Sequence, residues 1–143
     1  MNKLSRYAPT VVRLLMGLMF TVFGLNGFLH FLPQPPQEGA AAALFGGFVA
    51  SGYMLPLISG TEVAGGLMLL GHRYVPLGLT LLAPLIVNIV AFHVFLAPPN
   101  PVTFFVLFAE VYLAWSYREH FRPMLSARAA PHVASPGPAV ART

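Results

Sequence analysis

The sequence predicts an all-α membrane protein: a four-transmembrane-helix bundle with both termini cytoplasmic (N-in/C-in) and a short surface helix between the first two spans. Three observations lead there. The chain is 57% hydrophobic and only 8% charged. Soluble domains carry about 25% charged residues, so this chain has too few charges to cover a water-facing surface. Its apolar residues fall into four long runs, each near the ~17–25 residues that cross about 30 Å of hydrocarbon. Lys and Arg, finally, flank these runs on one side only, as the positive-inside rule describes.

The first span is read at residues 8–31. Lys3 and Arg6 precede it, as in a signal peptide, but the apolar stretch exceeds an h-region of ~7–15 residues and no small-x-small cleavage motif follows. An uncleaved helix is expected. Arg13 lies one or two turns inside and is expected to snorkel toward the cytoplasmic surface. Pro33, Pro35 and Pro36 break the helix, because proline lacks an amide donor and clashes with the preceding turn. Residues 38–49 are short and rich in Ala and Phe, and they read as a helix lying on or dipping into the outer surface. The second span, 54–71, contains Gly60, Gly65 and Gly66, small residues that let helices approach closely. His72 and Arg73 form a tight turn. The third span, 75–96, is loosened at Pro84, and Pro98, Pro99 and Pro101 make the next break. The fourth span, 102–117, is the shortest and continues into Arg118, Glu119, His120 and Arg122.

Residues 1–122 thus form one transmembrane domain, and residues 123–143, rich in Ala, Pro and Ser, read as a disordered cytoplasmic tail. Lys3, Arg6, Arg73, Arg118, Arg122 and Arg128 share one side, while the two opposite breaks carry no Lys or Arg. Tyr7, Tyr74, Trp115 and Tyr117 near one boundary and Tyr53 near the other fit interfacial aromatic belts.

Composition also excludes function classes. There is no cysteine, which removes disulfides, thiol redox chemistry and Cys-ligated metals. The net charge of +4 comes from residues at segment ends and not from a basic patch with interleaved aromatics, so nucleic acid is not the expected partner. No Gly-rich phosphate loop, Ser/His/Asp set or nucleotide fingerprint is present.

The informative residues are the polar ones inside the apolar runs, since an ionisable group there costs roughly 2.5–3.5 kcal/mol at a helix centre. They are Asn26 and His30 on the first span, Glu62 on the second, Asn88 and His93 on the third, and Glu110 on the fourth. At 1.5 Å per residue, Asn26, Glu62, Asn88 and Glu110 fall roughly 9–14 Å below the outer ends of their spans. They form one candidate layer for ligand binding or proton handling, with His30 and His93 as secondary candidates nearer the surface. A shared proton, a bridging cation or a contact from a neighbouring His or Asn would reconcile two carboxylates in one apolar layer. The plainer alternative is helix–helix hydrogen bonding, worth around 0.6 kcal/mol per bond in membranes. His30 and His93 raise a b-type haem, which is disfavoured because both are shallow and Asn88 and His93 do not share a face. No metal site is expected. The Phe-rich runs around Phe20–Phe31 and Phe104–Phe108 suit a quinone or lipid site, or more simply lipid-facing packing.

The segment Arg13-Leu-Leu-Met-Gly17, with Phe20 and Phe23-Gly24-Leu-Asn26-Gly27-Phe28, resembles the opening of DoxX-family membrane proteins. The likeness runs on through Ser51-Gly52-Tyr53, Pro56, Thr61-Glu62, Gly65-Gly66, Pro76-Leu77, Ala83-Pro84, Asn88 and Phe92-His93. It ends with Glu110 and Ala114-Trp115-Ser116-Tyr117-Arg118. The resemblance implies a small four-helix bundle of the bacterial cytoplasmic (inner) membrane. That family includes the quinone-linked DoxD-type subunit of a thiosulfate oxidoreductase, and it is distantly similar to MauE-like redox-associated proteins. Many relatives carry Lys where Asn26 stands here. The resulting expectation is an accessory or quinone/lipid-binding subunit linked to respiratory or redox chemistry. It would act beside a respiratory partner subunit and would not be a stand-alone enzyme. No cofactor is established, and quinone is the candidate ligand. A small-solute permease and a ligand-free structural or assembly factor are the alternatives.

The orientation is directly testable, because a chain without cysteine accepts single reporters. An impermeant thiol reagent applied to intact cells is expected to label Gln37→Cys and not Arg73→Cys. The reverse pattern would invert the topology.

Overall fold

The computed structural model describes residues 3–128, and these fold into six helices and no strand. Most of the tail read as disordered lies outside the described residues. The helices are α1 (Lys3–Leu29), α2 (Gly39–Ser51), α3 (Met54–Leu70), α4 (Val75–Phe95), α5 (Pro101–Ser116) and α6 (Arg118–Phe121). Two of them, α1 and α4, are long and apolar enough to cross a membrane, and the bent pair α2–α3 makes a third candidate span. With 16 residues, α5 is shorter.

Local chemistry sets the boundaries. α1 stops at Leu29, ahead of the prolines, because His30 turns left-handed (φ 52°) and the Asn26 side chain captures the amide of Leu32 at 2.6 Å. α2 is bracketed by left-handed Gly39 (φ 57°) and Gly52 (φ 72°), backbone positions that glycine adopts without a Cβ penalty. The Ser51 hydroxyl accepts from the Met54 amide at 3.1 Å across the break, where the chain bends by 92° into α3. α4 starts with Pro76 in its first turn and runs unbroken past Pro84. At α5 the Asn100 side chain accepts from the Val102 amide at 2.9 Å, a regular N-cap ahead of Pro101. The helix does not continue smoothly past residue 117: Tyr117 interrupts it before the single turn of α6.

Four helices close a ring in which α1 packs on α3, α3 on α4, α4 on α5, and α5 back on α1. The α1–α3 contact is the tightest. A β-carbon at Gly24 would lie 2.8 Å from the Ser59 carbonyl oxygen, and one at Gly17 would lie 3.0 Å from the Gly66 carbonyl oxygen. Gly66 in turn abuts the backbone of Thr21 and Gly17. Residue 17 therefore faces 66 and residue 24 faces 59, so α1 and α3 are antiparallel. Gly65 against Leu82, and Gly78 against Met68, make α3 and α4 antiparallel as well. One end of the bundle consequently gathers the start of α1, the α3–α4 turn and the end of α5. It carries Arg6, Arg73, Arg118 and Arg122, all exposed, and is called the basic end here. The opposite, proline end carries the connections at residues 30–38 and 96–100.

Arg13 departs from the snorkelling expectation. It is 5% exposed, and its guanidinium donates to the Leu69 and Leu70 carbonyls. Those carbonyls end α3, so the cation caps the negative pole of that helix. At the basic end Arg118 also stacks 5.1 Å over the Trp115 ring, and Arg122 pairs with Glu119 at 3.0 Å.

The buried core is small: Met16, Phe20, Leu69, Val75, Leu79, Leu82, Ile86, Val106, Ala109 and Leu113. Large apolar side chains are exposed on every long helix, among them Leu18, Phe23, Leu67, Val87, Phe104 and Phe108. An apolar surface of this extent is compatible with lipid contact.

The glycine contact is expected to be the most sensitive point of the fold. Gly24→Val should destabilise the bundle by about 1–3 kcal/mol through overpacking, read from detergent–SDS unfolding. Gly46→Ala, where a β-carbon meets nothing within 4 Å, should leave the midpoint unchanged. Equal effects at both positions would contradict the packing described.

Candidate functional site

Helical phase decides which of the polar residues within the apolar helices face the bundle interior. On α3 the core-facing residue is Leu69, fully buried. Glu62 lies seven residues before it, about 20° away around the helix at 100° per residue, and so faces the bundle interior. A β-carbon at Gly24 would lie 2.9 Å from the Glu62 β-carbon, which fixes Glu62 beside α1. On α5, Glu110 sits between the core residues Val106 and Leu113, one turn from each. Its Oε2 atom is buried and has no hydrogen-bond partner among the described residues. Glu62 lies eight residues from the proline end of α3 and Glu110 nine from that of α5, so both are about 12–14 Å deep.

Other polar residues share this inward surface. Ser59 is 6% exposed and Thr103 is 4% exposed. Ser59 stands three residues before Glu62 and Thr103 seven before Glu110, on the same helix faces. His93 lies seven residues after the buried core residue Ile86 and therefore continues the inward stripe of α4. Its Nδ1 is 2.9 Å from the Ile89 carbonyl, and its ring packs edge-on against Phe92 at 5.3 Å. By helical phase Thr103, His93, Glu62 and Glu110 face the bundle interior, while the Ser59 side chain packs against Gly27 of α1. Below the carboxylates, toward the basic end, Met16, Leu69, Val75, Leu79 and Leu113 fill the bundle with 0–3% exposure.

The remaining candidates stand apart. Asn26 is 2% exposed, but both ends of its amide serve Leu32: Oδ1 accepts from the Leu32 amide at 2.6 Å, and Nδ2 approaches the Leu32 carbonyl at 3.4 Å. It fastens the chain after α1. His30 is exposed and is the left-handed residue of that turn. Asn88 is exposed and lies on the opposite side of α4 from Leu79 and Ile86, lining a groove with Phe48, Leu57, Thr61 and Leu85. The single layer of four polar groups read from depth resolves into an inward pair, Glu62 and Glu110, a structural Asn26 and an outward-facing Asn88. Among the described residues no group of three or more His, Asp or Glu side chains could hold a metal ion.

Sequence reasoning passed over Ser59 and Thr103, although their spacing from the two glutamates was available as a signal. It also passed over the buried role of Arg13, for which depth alone gave no signal. Comparison with protein-family models, with curated proteins and with solved structures finds no match to this chain.

Proposed function

We propose that the chain is a four-span protein of the bacterial cytoplasmic membrane with both termini in the cytoplasm, acting as an accessory subunit of respiratory or redox chemistry. In this reading Glu62 and Glu110 hold the polar head group of a quinone or lipid, or relay protons beside it. The four-span reading draws on the antiparallel ring of α1, α3, α4 and α5, on the apolar residues exposed around it, and on the collection of exposed arginines at one end. The redox association draws on the resemblance of the sequence to DoxX-family proteins.

The observation that carries the ligand reading is the inward placement of two carboxylates at matched depth, with Glu110 Oε2 buried and unpartnered among the described residues. A buried acceptor without a donor is costly, and the hydroxyl of a quinol or of a lipid head group supplies one. A quinone, when bound, contributes a couple that exchanges electrons and protons together. The protein's share is positional: Glu62 and Glu110 hold and release a proton at their carboxylate oxygens, and Thr103 shares the inward face of α5 with Glu110. The apolar plug formed by Met16, Leu69, Val75, Leu79 and Leu113 favours a site entered from one side over a permease pathway that crosses the bundle.

Glu62→Gln and Glu110→Gln preserve shape and remove the carboxylate. Protein purified in mild detergent and extracted for quinones and lipids should retain a specific compound. Each Gln variant is expected to lower that retention by about tenfold or more, the scale of a lost hydrogen bond to a charged group, with helicity and melting temperature unchanged. Equal retention by wild type and both variants would overturn the assignment.

A further inference from the structure

We propose a second ligand site on the outer surface of the bundle: the groove between α2, α3 and α4 takes a neutral, single-chain lipid whose small carbonyl or hydroxyl head meets Asn88. The groove has a volume of about 410 Å³ and is walled by Phe48 of α2, Leu57 and Ile58 of α3, and Leu81 and Leu85 of α4. Only two side chains in its lining are polar. The Thr61 hydroxyl is already spent on its own helix, donating to the Leu57 carbonyl at 2.8 Å. The Asn88 amide is exposed and hydrogen-bonds to no other described residue. It offers two N–H donors and one carbonyl acceptor. On a helix side that faces lipid, an unsatisfied amide is costly, and no other group of the lining is free to answer it.

The chemistry of the lining and its depth select the ligand. No Lys, Arg, Asp or Glu lines the groove, so a charged head group finds no counter-ion there. Glu62 lies on the inward face of α3, away from Thr61 and Asn88. Asn88 stands seven residues below Phe95, the last residue of α4, or about 10 Å down. The ester carbonyls of a two-chain phospholipid stay at the hydrocarbon edge, whereas one chain with a small uncharged head can sink to Asn88. α2 supplies an apolar wall. It has no charged residue, is set at 92° to α3, and is held by Phe45 packed edge-on against Phe92 at 5.6 Å. The open side of the groove faces the bilayer, from which such a lipid would enter. This inference rests on the membrane-spanning reading alone and is independent of the Glu62–Glu110 site.

The test uses full-length protein in phospholipid nanodiscs with a diazirine-bearing hexadecanol as probe. Recovery of the protein only by detergent, and not by alkaline carbonate, checks the membrane reading first, so failure there is distinguishable from failure of the site. Adducts mapped by mass spectrometry are expected on residues 48–61 and 81–88. Unlabelled hexadecanol should compete, Asn88→Leu should lower the yield at least about fivefold, and Leu85→Trp, which fills the groove, should do the same. Gly46→Ala, on α2 but outside the groove lining, should leave labelling unchanged. Adducts spread evenly over the outer faces of α1 and α5, or full labelling of both Asn88→Leu and Leu85→Trp, would overturn the proposal. So would unchanged labelling of Asn88→Leu together with loss of a cross-linked dimer, because the amide would then serve a second copy of the chain.

Discussion

The close approach of α1 to α3 is the constraint on which the rest of the structure depends. Gly17, Thr21 and Gly24 on one helix meet Ser59, Val63 and Gly66 on the other at distances that leave no room for a β-carbon at the glycines. In lipid there is little hydrophobic gain from pressing two apolar helices together, so van der Waals packing at small residues has to supply the attraction. That contact fixes the rotation of α3. With Ser59 and Gly66 against α1, and Gly65 against Leu82 of α4, Glu62 is left facing the bundle interior. The Arg13 guanidinium pins the same pair of helices at the basic end by capping α3.

The buried apolar core runs the length of the bundle, from Met16, Leu69 and Leu113 to Ile86 and Val106, and helical phase turns Glu62, His93, Thr103 and Glu110 toward the same interior.

Much of this architecture was legible in the sequence. Proline and glycine breaks and run lengths anticipated most helix boundaries to within a few residues, because these signals act locally. The end of α1 was missed by two residues, since a side chain, Asn26, reaching Leu32 terminated it before the prolines did. The candidate site was only half legible. Depth along a helix follows from counting residues. Facing direction requires knowing which side of each helix meets its neighbours, and that turned Asn88 outward and gave Asn26 to the backbone. Arg13 was misread for the same reason: its distance from the helix start suggested water, while its partner, the end of α3, lies 56 residues away in the chain.

Side-chain direction is therefore the quantity to measure. Nitroxide labels at single cysteines replacing Glu62, Val87, Phe108 and Glu110, in protein reconstituted into nanodiscs, report contact with lipid through collisions with dissolved oxygen. Labels at 62 and 110 are predicted to be immobile and shielded from oxygen, and labels at 87 and 108, whose native side chains are 66% and 68% exposed, to be mobile and strongly relaxed by it. Oxygen contact at 62 and 110 equal to that at 87 and 108 would place the carboxylates against lipid and contradict an interior site.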